Sequence, residues 1–126
     1  MDLSLRRYTK HDYLTLCEWF AKHKMKAPLY FLLPPVGMIV DGIAAGFLIE
    51  TNCHVAILDF FVTNPDVDSE ARNKAIEEIV SSLQFYAGAN DFKYLKCDSS
   101  IDSIKQRALA RGFKKIDDVS VFYKEL

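Results

Sequence analysis

The sequence predicts an α/β fold in which one mixed sheet carries helices on both faces. Three observations lead to this prediction: an Asp41-Gly42 turn between apolar runs, an almost wholly apolar run from Val55 to Val62, and helical apolar periodicity before and after that block. Apolar or alternating runs bounded by turn residues are typical of strands, and apolar residues spaced three and four apart are typical of helices. The predicted order is β-α-β-β-β-α-β-α-β, within a single domain of residues 1–126.

The first predicted elements are a strand around Leu3 to Arg7 and the helix that follows it. Thr9 is expected to cap this helix, because Asp12 stands three residues later and can accept the Thr9 N–H in return. One apolar stripe is predicted along the helix, at positions i, i+3, i+4, i+7 and i+8. Its members are Tyr13, Leu16, Cys17, Phe20 and Ala21.

An irregular but unusually apolar loop is predicted from Lys26 to Gly37, since its prolines interrupt both helices and strands. A loop this apolar is expected to cover another part of the molecule. The clearest local signal follows it: Met38 to Val40 and Ile43 to Ile49 form a predicted hairpin. The Asp41-Gly42 pair between them suits a two-residue type I′ turn.

Val55 to Val62 is predicted to be a central strand, covered on both faces because it is nearly all apolar. Asp59 is the exception, and a lone carboxylate in such a strand is a candidate functional residue. The rest of the chain predicts a long helix after Ser69 that ends near Gly88. A strand from Phe92 to Cys97 is expected next, parallel to the strand that begins at Val55. A helix capped by Ser99 or Ser100 and ended by Gly112 follows, and then a last strand from Val119 to Tyr123.

Composition argues against several classes of protein. The chain has 16 Lys and Arg residues and 17 Asp and Glu residues, so it lacks the excess of positive charge of a non-specific nucleic-acid binder. The 3 cysteines are far apart and form no Cys-x-x-Cys pair, which favours a reducing, cytoplasmic compartment over a zinc site or a disulfide framework. The apolar runs are shorter than the roughly 20 residues that span a bilayer, and no signal peptide is recognisable. We therefore expect no metal, nucleic-acid or membrane partner.

Four segments, in order and on the expected elements, carry a resemblance to a known family. They are Leu5 to Asp12, Ala45-Gly46-Phe47, Phe61 to Pro65, and Arg111-Gly112-Phe113. Together they resemble the GNAT superfamily of N-acetyltransferases over nearly the whole chain. Leu33 to Gly37 and the short length also resemble a compact branch frequently encoded by bacteriophages and prophages.

The resemblance implies a GNAT-like acyl-CoA N-acyltransferase fold, with a V-shaped opening between the fourth and fifth strands. There the pantetheine arm of acetyl-CoA pairs with the fourth strand, and the pyrophosphate lies at the N-terminus of the next helix. Such a helix end offers free N–H groups and a positive dipole end, which suits an anion. The cofactor contacts implied in this sequence are Phe60, Phe61, Val62, Val67, Asp68, Ser69, Ala71, Arg72, Asn73 and Lys74.

The phosphate loop departs from the family pattern, because Ala71 and Asn73 stand where the family has glycine or a small residue. Asp68 and Glu70 favour a helix N-terminus but repel a pyrophosphate. Arg72 and Lys74 act in the opposite sense, since cations in a first helical turn gain little from the helix dipole and would bind an anionic ligand.

The implied chemistry is acetyl transfer from a thioester to an amine. Backbone N–H groups around Phe60 to Val62 are expected to polarise the thioester carbonyl, and Asp59 is the first candidate for the base. The alternative for Asp59 is a bond to neighbouring backbone, or binding of a cationic substrate without catalysis. Glu50 is the second carboxylate near the opening, and it joins Tyr30 and Phe31 as a candidate substrate contact.

The proton donor that the family often uses is missing from this chain. Many members have a tyrosine four residues before the last Gly-Phe pair, and here that position is Ala108. Tyr94, Cys97 or water is expected to supply the proton instead.

Two functions follow from the sequence. The first is an acetyl-CoA-dependent N-acetyltransferase, acting as a monomer or homodimer on an amine. The alternative is a non-catalytic binding or structural module of the same fold that has lost acetyl-CoA affinity. Backbone N–H groups of residues 67–73 converging on an open groove would favour the first, and acidic side chains filling that groove would favour the second.

Overall fold

The computed structural model describes residues 4–98, 102–116, 120, 122 and 124–126. Its elements are β1 (Leu5–Arg7), α1 (Tyr13–Lys22), β2 (Val36–Val40), β3 (Ala44–Glu50), β4 (Val55–Thr63), α2 (Ser69–Ala89), β5 (Tyr94–Lys96) and α3 (Asp102–Ala110), with short 3₁₀ turns at Lys10–Asp12 and Tyr30–Leu32. The predicted mixed α/β architecture and its element order are confirmed as far as α3. The predicted caps at Ser99 and Ser100, and most of the last strand from Val119 to Tyr123, lie outside the described residues.

The strands form one sheet in the order β1-β2-β3-β4-β5. The pairs from β1 to β4 are antiparallel, and β4 and β5 are parallel, as the strand-helix-strand connection predicts. The long β3·β4 ladder joins Ala44 to Thr63 at one end and Glu50 to Ala56 at the other. The sheet is therefore mostly antiparallel, with one parallel pair of strands at its β5 edge.

Alternation along the strands gives the sheet two apolar faces, and a helix covers each. On one face α1 packs through Leu16, Trp19 and Phe20 against a cluster centred on Phe47. On the other face α2 packs against a larger cluster, to which it contributes Ala75, Ile76, Ile79, Val80, Leu83 and Ala87. The prediction of helices on both faces is confirmed.

The apolar stripe of α1 differs from the predicted one at its end. Trp19 is buried, whereas Ala21 is exposed. The helix ends at Lys22, two residues after Phe20, and Lys24 beyond it adopts a positive φ of 57°. In the last turn the large indole therefore occupies the core-facing position.

The hairpin turn also differs from the prediction. The Val40–Ala44 connection has three residues, and only Gly42 has a positive φ, 75°, so the turn has the pattern of type II and not type I′. The Ile43 N–H closes it by donating to the Val40 carbonyl at 3.0 Å. The predicted end of the long helix near Gly88 is confirmed, since α2 ends at Ala89, and Asp91, with a φ of 66°, takes the left-handed position beyond it.

An arginine clamp ties β1 to the start of α1 and to the hairpin turn. The Arg6 guanidinium donates to both carboxylate oxygens of Asp12, at 3.0 and 2.7 Å, and to Asp41 at 2.9 Å. Asp12 is 8% exposed and also accepts the Thr9 N–H at 2.8 Å, as the predicted capping box requires. These hydrogen bonds, led by those from Arg6, hold the pKa of the Asp12 carboxyl below its ordinary value.

The lowered Asp12 pKa predicts a stability that falls in acid. A carboxyl with a lower pKa in the folded state stabilises the protein above its unfolded pKa of about 4, and this contribution is lost as the pH falls through the folded pKa. Urea unfolding between neutral pH and about pH 3 is expected to show this loss. Asp12→Asn is expected to be less stable at neutral pH and to have a weaker acid dependence. An unchanged acid dependence in this variant would contradict the assignment.

Candidate functional site

The site begins where β4 and β5 separate. β5 pairs with Val55 to Ile57 of β4 only, and no described residue pairs with the same edge of β4 from Leu58 to Thr63. The open edge of β4 from Leu58 to Thr63, together with the N-terminus of α2 beyond it, is called the notch. It corresponds to the opening expected between the fourth and fifth strands.

A β-bulge shapes the β4 side of the notch. Ala45 pairs with Val62 and Phe47 pairs with Asp59, so Phe60 and Phe61 together oppose Gly46. Phe60 has a φ of 57°, a left-handed conformation that is uncommon for a bulky residue and costs conformational energy. The bulge therefore lies within the segment Phe60 to Val62, whose backbone N–H groups are the expected partners of the thioester carbonyl.

The bulge turns Asp59 and Phe60 toward the same face of the sheet. Asp59 pairs with Phe47, which belongs to the α1 face, and the Phe60 ring meets the Phe47 ring edge-on at 6.4 Å between centroids. Phe61 points to the opposite face, where its ring lies over Gly46. This arrangement brings the carboxylate of Asp59 to the bulge on the α1 side.

Asp59 is exposed, so the prediction that both faces of this strand are covered is wrong at this position. Beside it, the notch edge of β4 has no strand partner among the described residues. The Oδ1 of Asp59 accepts the N–H of Phe60 at 2.7 Å. The carboxylate thus bonds to neighbouring backbone and is exposed next to the notch.

The other side of the notch is the first turn of α2. Asp68 caps the helix, and its Oδ1 accepts the Ala71 N–H at 2.9 Å. The Val67 N–H donates to the Asn64 carbonyl at 3.2 Å. The predicted N–H contacts from Val67 and Ala71 are therefore already used within the protein.

Two N–H groups of this turn stay open. Among the described residues, no acceptor receives the N–H of Ser69 or of Glu70. A free N–H pair at the positive end of a 21-residue helix is a favourable place for an anion. Glu70 was not among the predicted contacts, because its acidic side chain repels a pyrophosphate, whereas its backbone N–H attracts one.

The basic residues of α2 differ in where they lie. Arg72 is on the helix face that packs on the sheet, in line with Ile76, Ile79 and Leu83, and its Nε is buried without a hydrogen-bond partner. Lys74 is exposed on another face of the helix. Of the two predicted cationic contacts, the structure therefore places Arg72 on the sheet side of the helix and leaves Lys74 exposed.

Arg107 is a residue that the sequence did not point to. It lies on α3, and its Nη2 donates to the Oδ1 of Asn73 in the first turn of α2. Asn73 itself was predicted as a cofactor contact, but its side-chain oxygen is engaged by this arginine. The pairing joins residues 34 positions apart, so no local pattern could reveal it.

Three other predicted site residues lie away from Asp59. Glu50 lies on the α2 face, where its carboxylate accepts the Tyr86 hydroxyl at 2.8 Å. Tyr94 is 72% exposed and pairs with Val55, about 16 Å along β4 from the bulge. The structure thus separates Glu50 and Tyr94 from the notch. Cys97 follows β5, and burial raises the pKa of its thiol, which stays protonated at neutral pH.

The loop after α1 exposes its aromatic side chains and does not cover the core with them. Tyr30 and Phe31 are 66% and 67% exposed and pack edge-on against each other, and Tyr30 also packs edge-on against Tyr13. Only the ends of the loop, Ala27 and Leu33, pack into the cluster that also contains Phe60. The loop therefore presents an apolar surface on the same face of the sheet as Asp59.

Comparison with solved structures gives consistent matches over nearly the whole chain. A Trypanosoma brucei acetyltransferase matches with a TM-score of 0.68 at 15% identity, covering 98% of this chain and 100% of that one. The aminoglycoside N-acetyltransferase AAC(6′)-Iy in complex with CoA matches with a TM-score of 0.64 at 17% identity, covering 98% and 95%. An aminoglycoside acetyltransferase from an uncultured soil sample matches with a TM-score of 0.71 at 11% identity, covering 98% and 96%.

The chain has the GNAT acyl-CoA N-acyltransferase fold. No protein-family model matches the sequence, and no curated protein matches it. The fold assignment therefore comes from three-dimensional similarity to GNAT-type acetyltransferases.

The residues at the notch fit the acyl-CoA that a GNAT fold implies. Free N–H groups of Ser69 and Glu70 suit its phosphates, the open edge of β4 suits an extended amide-bearing arm, and the buried Nε of Arg72 is an unused donor. Within the described residues, no group of His, Cys, Asp and Glu side chains is placed to hold a metal ion, and no helix is long and apolar enough to cross a membrane.

Proposed function

We propose that the protein is an acetyl-CoA-dependent N-acetyltransferase that acts on an amine. The observation that carries the proposal is the notch: an unpaired, bulged edge of β4 that leads to the open N–H groups of Ser69 and Glu70. Solved structures with the same fold are acetyltransferases, and one of them was determined with CoA.

In this proposal the two sides of the notch have separate tasks. The first turn of α2 binds the phosphates through the N–H groups of Ser69 and Glu70, and Arg72 supplies a positive charge. The open edge of β4 holds the pantetheine arm by backbone hydrogen bonds. Bound acetyl-CoA supplies the activated thioester.

Asp59 and the bulge perform the chemistry on the α1 side. Asp59 accepts the proton that the acceptor ammonium must lose, the amine nitrogen forms a bond to the acetyl carbon, and the carbon–sulfur bond breaks. The leaving sulfur takes, through water, the second proton that the nitrogen loses as the amide forms. Once Asp59 is protonated it releases the Phe60 N–H, which then joins the N–H groups of Phe61 and Val62 as a donor to the carbonyl oxygen.

The amine is proposed to enter between Asp59 and the exposed aromatic loop. Phe60 and Leu33 pack in one cluster, so the loop and the bulge lie on one face of the sheet. The Asp59 carboxylate attracts a cation, and the exposed rings of Tyr30 and Phe31 offer an apolar and cation–π surface. An amine with an apolar portion fits this combination.

Calorimetric titration of acetyl-CoA, with free CoA as a comparison, tests the proposal. We expect saturable binding of both ligands, and Arg72→Ala is expected to weaken each about tenfold because a charge-assisted contact to phosphate is lost. Lys74→Ala is the matched control: it removes an exposed cation two residues away and is expected to have a smaller effect. Absence of binding by folded protein would contradict the proposal.

One observation favours the alternative of a non-catalytic module. The Asp68 carboxylate already occupies one N–H of the helix N-terminus, that of Ala71, and brings negative charge to the place a pyrophosphate needs. If this charge dominates, acetyl-CoA will not bind to the wild-type protein. Asp68→Ser keeps a capping oxygen without the charge and is expected to restore binding in that case.

A further inference from the structure

Arg107 lies beside the end of α2 that is proposed to receive phosphates. Its guanidinium is held by the Asn73 side chain. An α-helix rises 1.5 Å per residue, so Asn73 is only about 5 Å along the axis from the open N–H groups of Ser69 and Glu70. The guanidinium therefore stands at the flank of the anion site, on the α3 side.

No ion pair holds the Arg107 guanidinium within the described part of the chain. None of the described carboxylates lies within ion-pair distance of it. Its hydrogen-bond partner, the Asn73 side chain, is a neutral amide oxygen, which orients the guanidinium without neutralising it. A partly buried guanidinium that is oriented in this way is a suitable partner for a phosphate.

The guanidinium also lines a cavity between two helices. This cavity, of about 880 Å³, runs between α2 and α3, and its lining includes Arg107, Arg111 and Phe85, with Glu77 as the acidic residue. It lies alongside α2, beyond the first turn in which Asn73 stands. A ligand whose phosphates lie on the helix N-terminus can therefore extend along α2 toward Arg107.

CoA carries a phosphate that fits this position. Besides the pyrophosphate on the 5′ side of its ribose, it has a separate phosphate on the 3′ oxygen of the same ring. We propose that Arg107, held by Asn73, binds the 3′-phosphate of CoA, an assignment that rests on the proposed function. Arg107 is then the residue that distinguishes CoA from its dephosphorylated form.

Arg111, four residues after Arg107, also contacts α2 and provides a matched control. Its Nη2 donates to the Ser81 hydroxyl at 3.0 Å, and Ser81 lies about 12 Å further along α2 than Asn73. A 3′-phosphate one ribose away from the helix N-terminus does not reach it. Substitution of Arg111 changes the net charge by the same amount and leaves the proposed contact in place.

Calorimetric titration of CoA and of 3′-dephospho-CoA tests the assignment. We expect the wild-type protein to bind CoA about 10-fold to 100-fold more tightly than 3′-dephospho-CoA, the usual effect of a charged hydrogen-bond pair. Arg107→Gln is expected to lose most of this preference by weakening CoA alone. Asn73→Ala is expected to lose part of it, because the guanidinium is then no longer held, and Arg111→Gln is expected to keep it.

Each outcome separates this assignment from the proposed function. Binding of both ligands with equal affinity by the wild-type protein, or equal weakening of both by Arg107→Gln, would overturn the role of Arg107 and leave the acetyltransferase proposal standing. A loss of preference in Arg111→Gln equal to that in Arg107→Gln would reduce the effect to net charge and also overturn it. Failure of both ligands to bind the folded wild-type protein would overturn the proposed function itself.

Discussion

Replacing Asp59 with asparagine is expected to lower the turnover of acetyl transfer by about 10²-fold to 10⁴-fold, the range that a general base contributes. Asparagine keeps the size of the side chain and cannot take a proton from the acceptor ammonium. The affinity for acetyl-CoA is expected to stay within about twofold of wild type, because the phosphate contacts lie on α2. Steady-state kinetics across a range of pH, with calorimetry for acetyl-CoA, measure the two effects separately.

Two comparison variants isolate the proton transfer. Asp59→Glu retains a carboxylate and is expected to keep part of the activity. Glu50→Gln removes a carboxylate from the opposite face of the sheet, where Tyr86 donates to it, and is expected to leave turnover unchanged. Full activity of Asp59→Asn over the whole pH range would remove Asp59 from the mechanism.

Gly37→Ala is expected to destabilise the protein by about 1–3 kcal/mol, the usual cost of overpacking a core. A Cβ at position 37 would stand 2.5 Å from two atoms of the Phe47 ring, which is fully buried. The Tyr8 ring, at 4.8 Å between centroids, and Phe60 confine Phe47, so the strands themselves must shift. Urea unfolding measures the loss.

Gly46→Ala is the matched comparison, because its added Cβ also meets a phenylalanine ring, at 2.4 Å. That ring belongs to Phe61, which is only partly buried beside the notch and can rotate away. The cost is expected to be smaller than at Gly37. An equal or larger loss of stability in Gly46→Ala would show that Phe61 is as firmly held as Phe47.

Most elements could be predicted because their signals are local. The hairpin, the parallel β4–β5 connection and the Thr9–Asp12 capping box depend on residues close in sequence or on a fixed rule of chain topology. The alternation of side chains within each strand was also present in the sequence. To place Glu50 of β3 and Asp59 of β4 on opposite faces, however, the register across the bulge is needed, and only the paired strands define it.

The candidate site was harder to predict because its features are non-local. The edge of β4 beside Asp59 is open because β5 stops pairing at Ile57, and nothing near Asp59 in the sequence indicates where β5 ends. The Arg107–Asn73 contact joins two helices, and a strand lies between them in the chain. The turn at Gly42 was predicted with the wrong type, because Asp-Gly also suits a three-residue connection in which only glycine has a positive φ.

The sheet order also has a consequence for how the chain folds. Each strand pairs with the strand that precedes or follows it in sequence, so the order in space repeats the order in the chain. The β2–β3 and β3–β4 hairpins close over short loops and cost little chain entropy, whereas β1 and β5 join only after α1 and α2 have brought them close. We therefore expect the three central strands to form first and both edges to add later, so that the parallel β4–β5 pairing, which borders the notch, forms late.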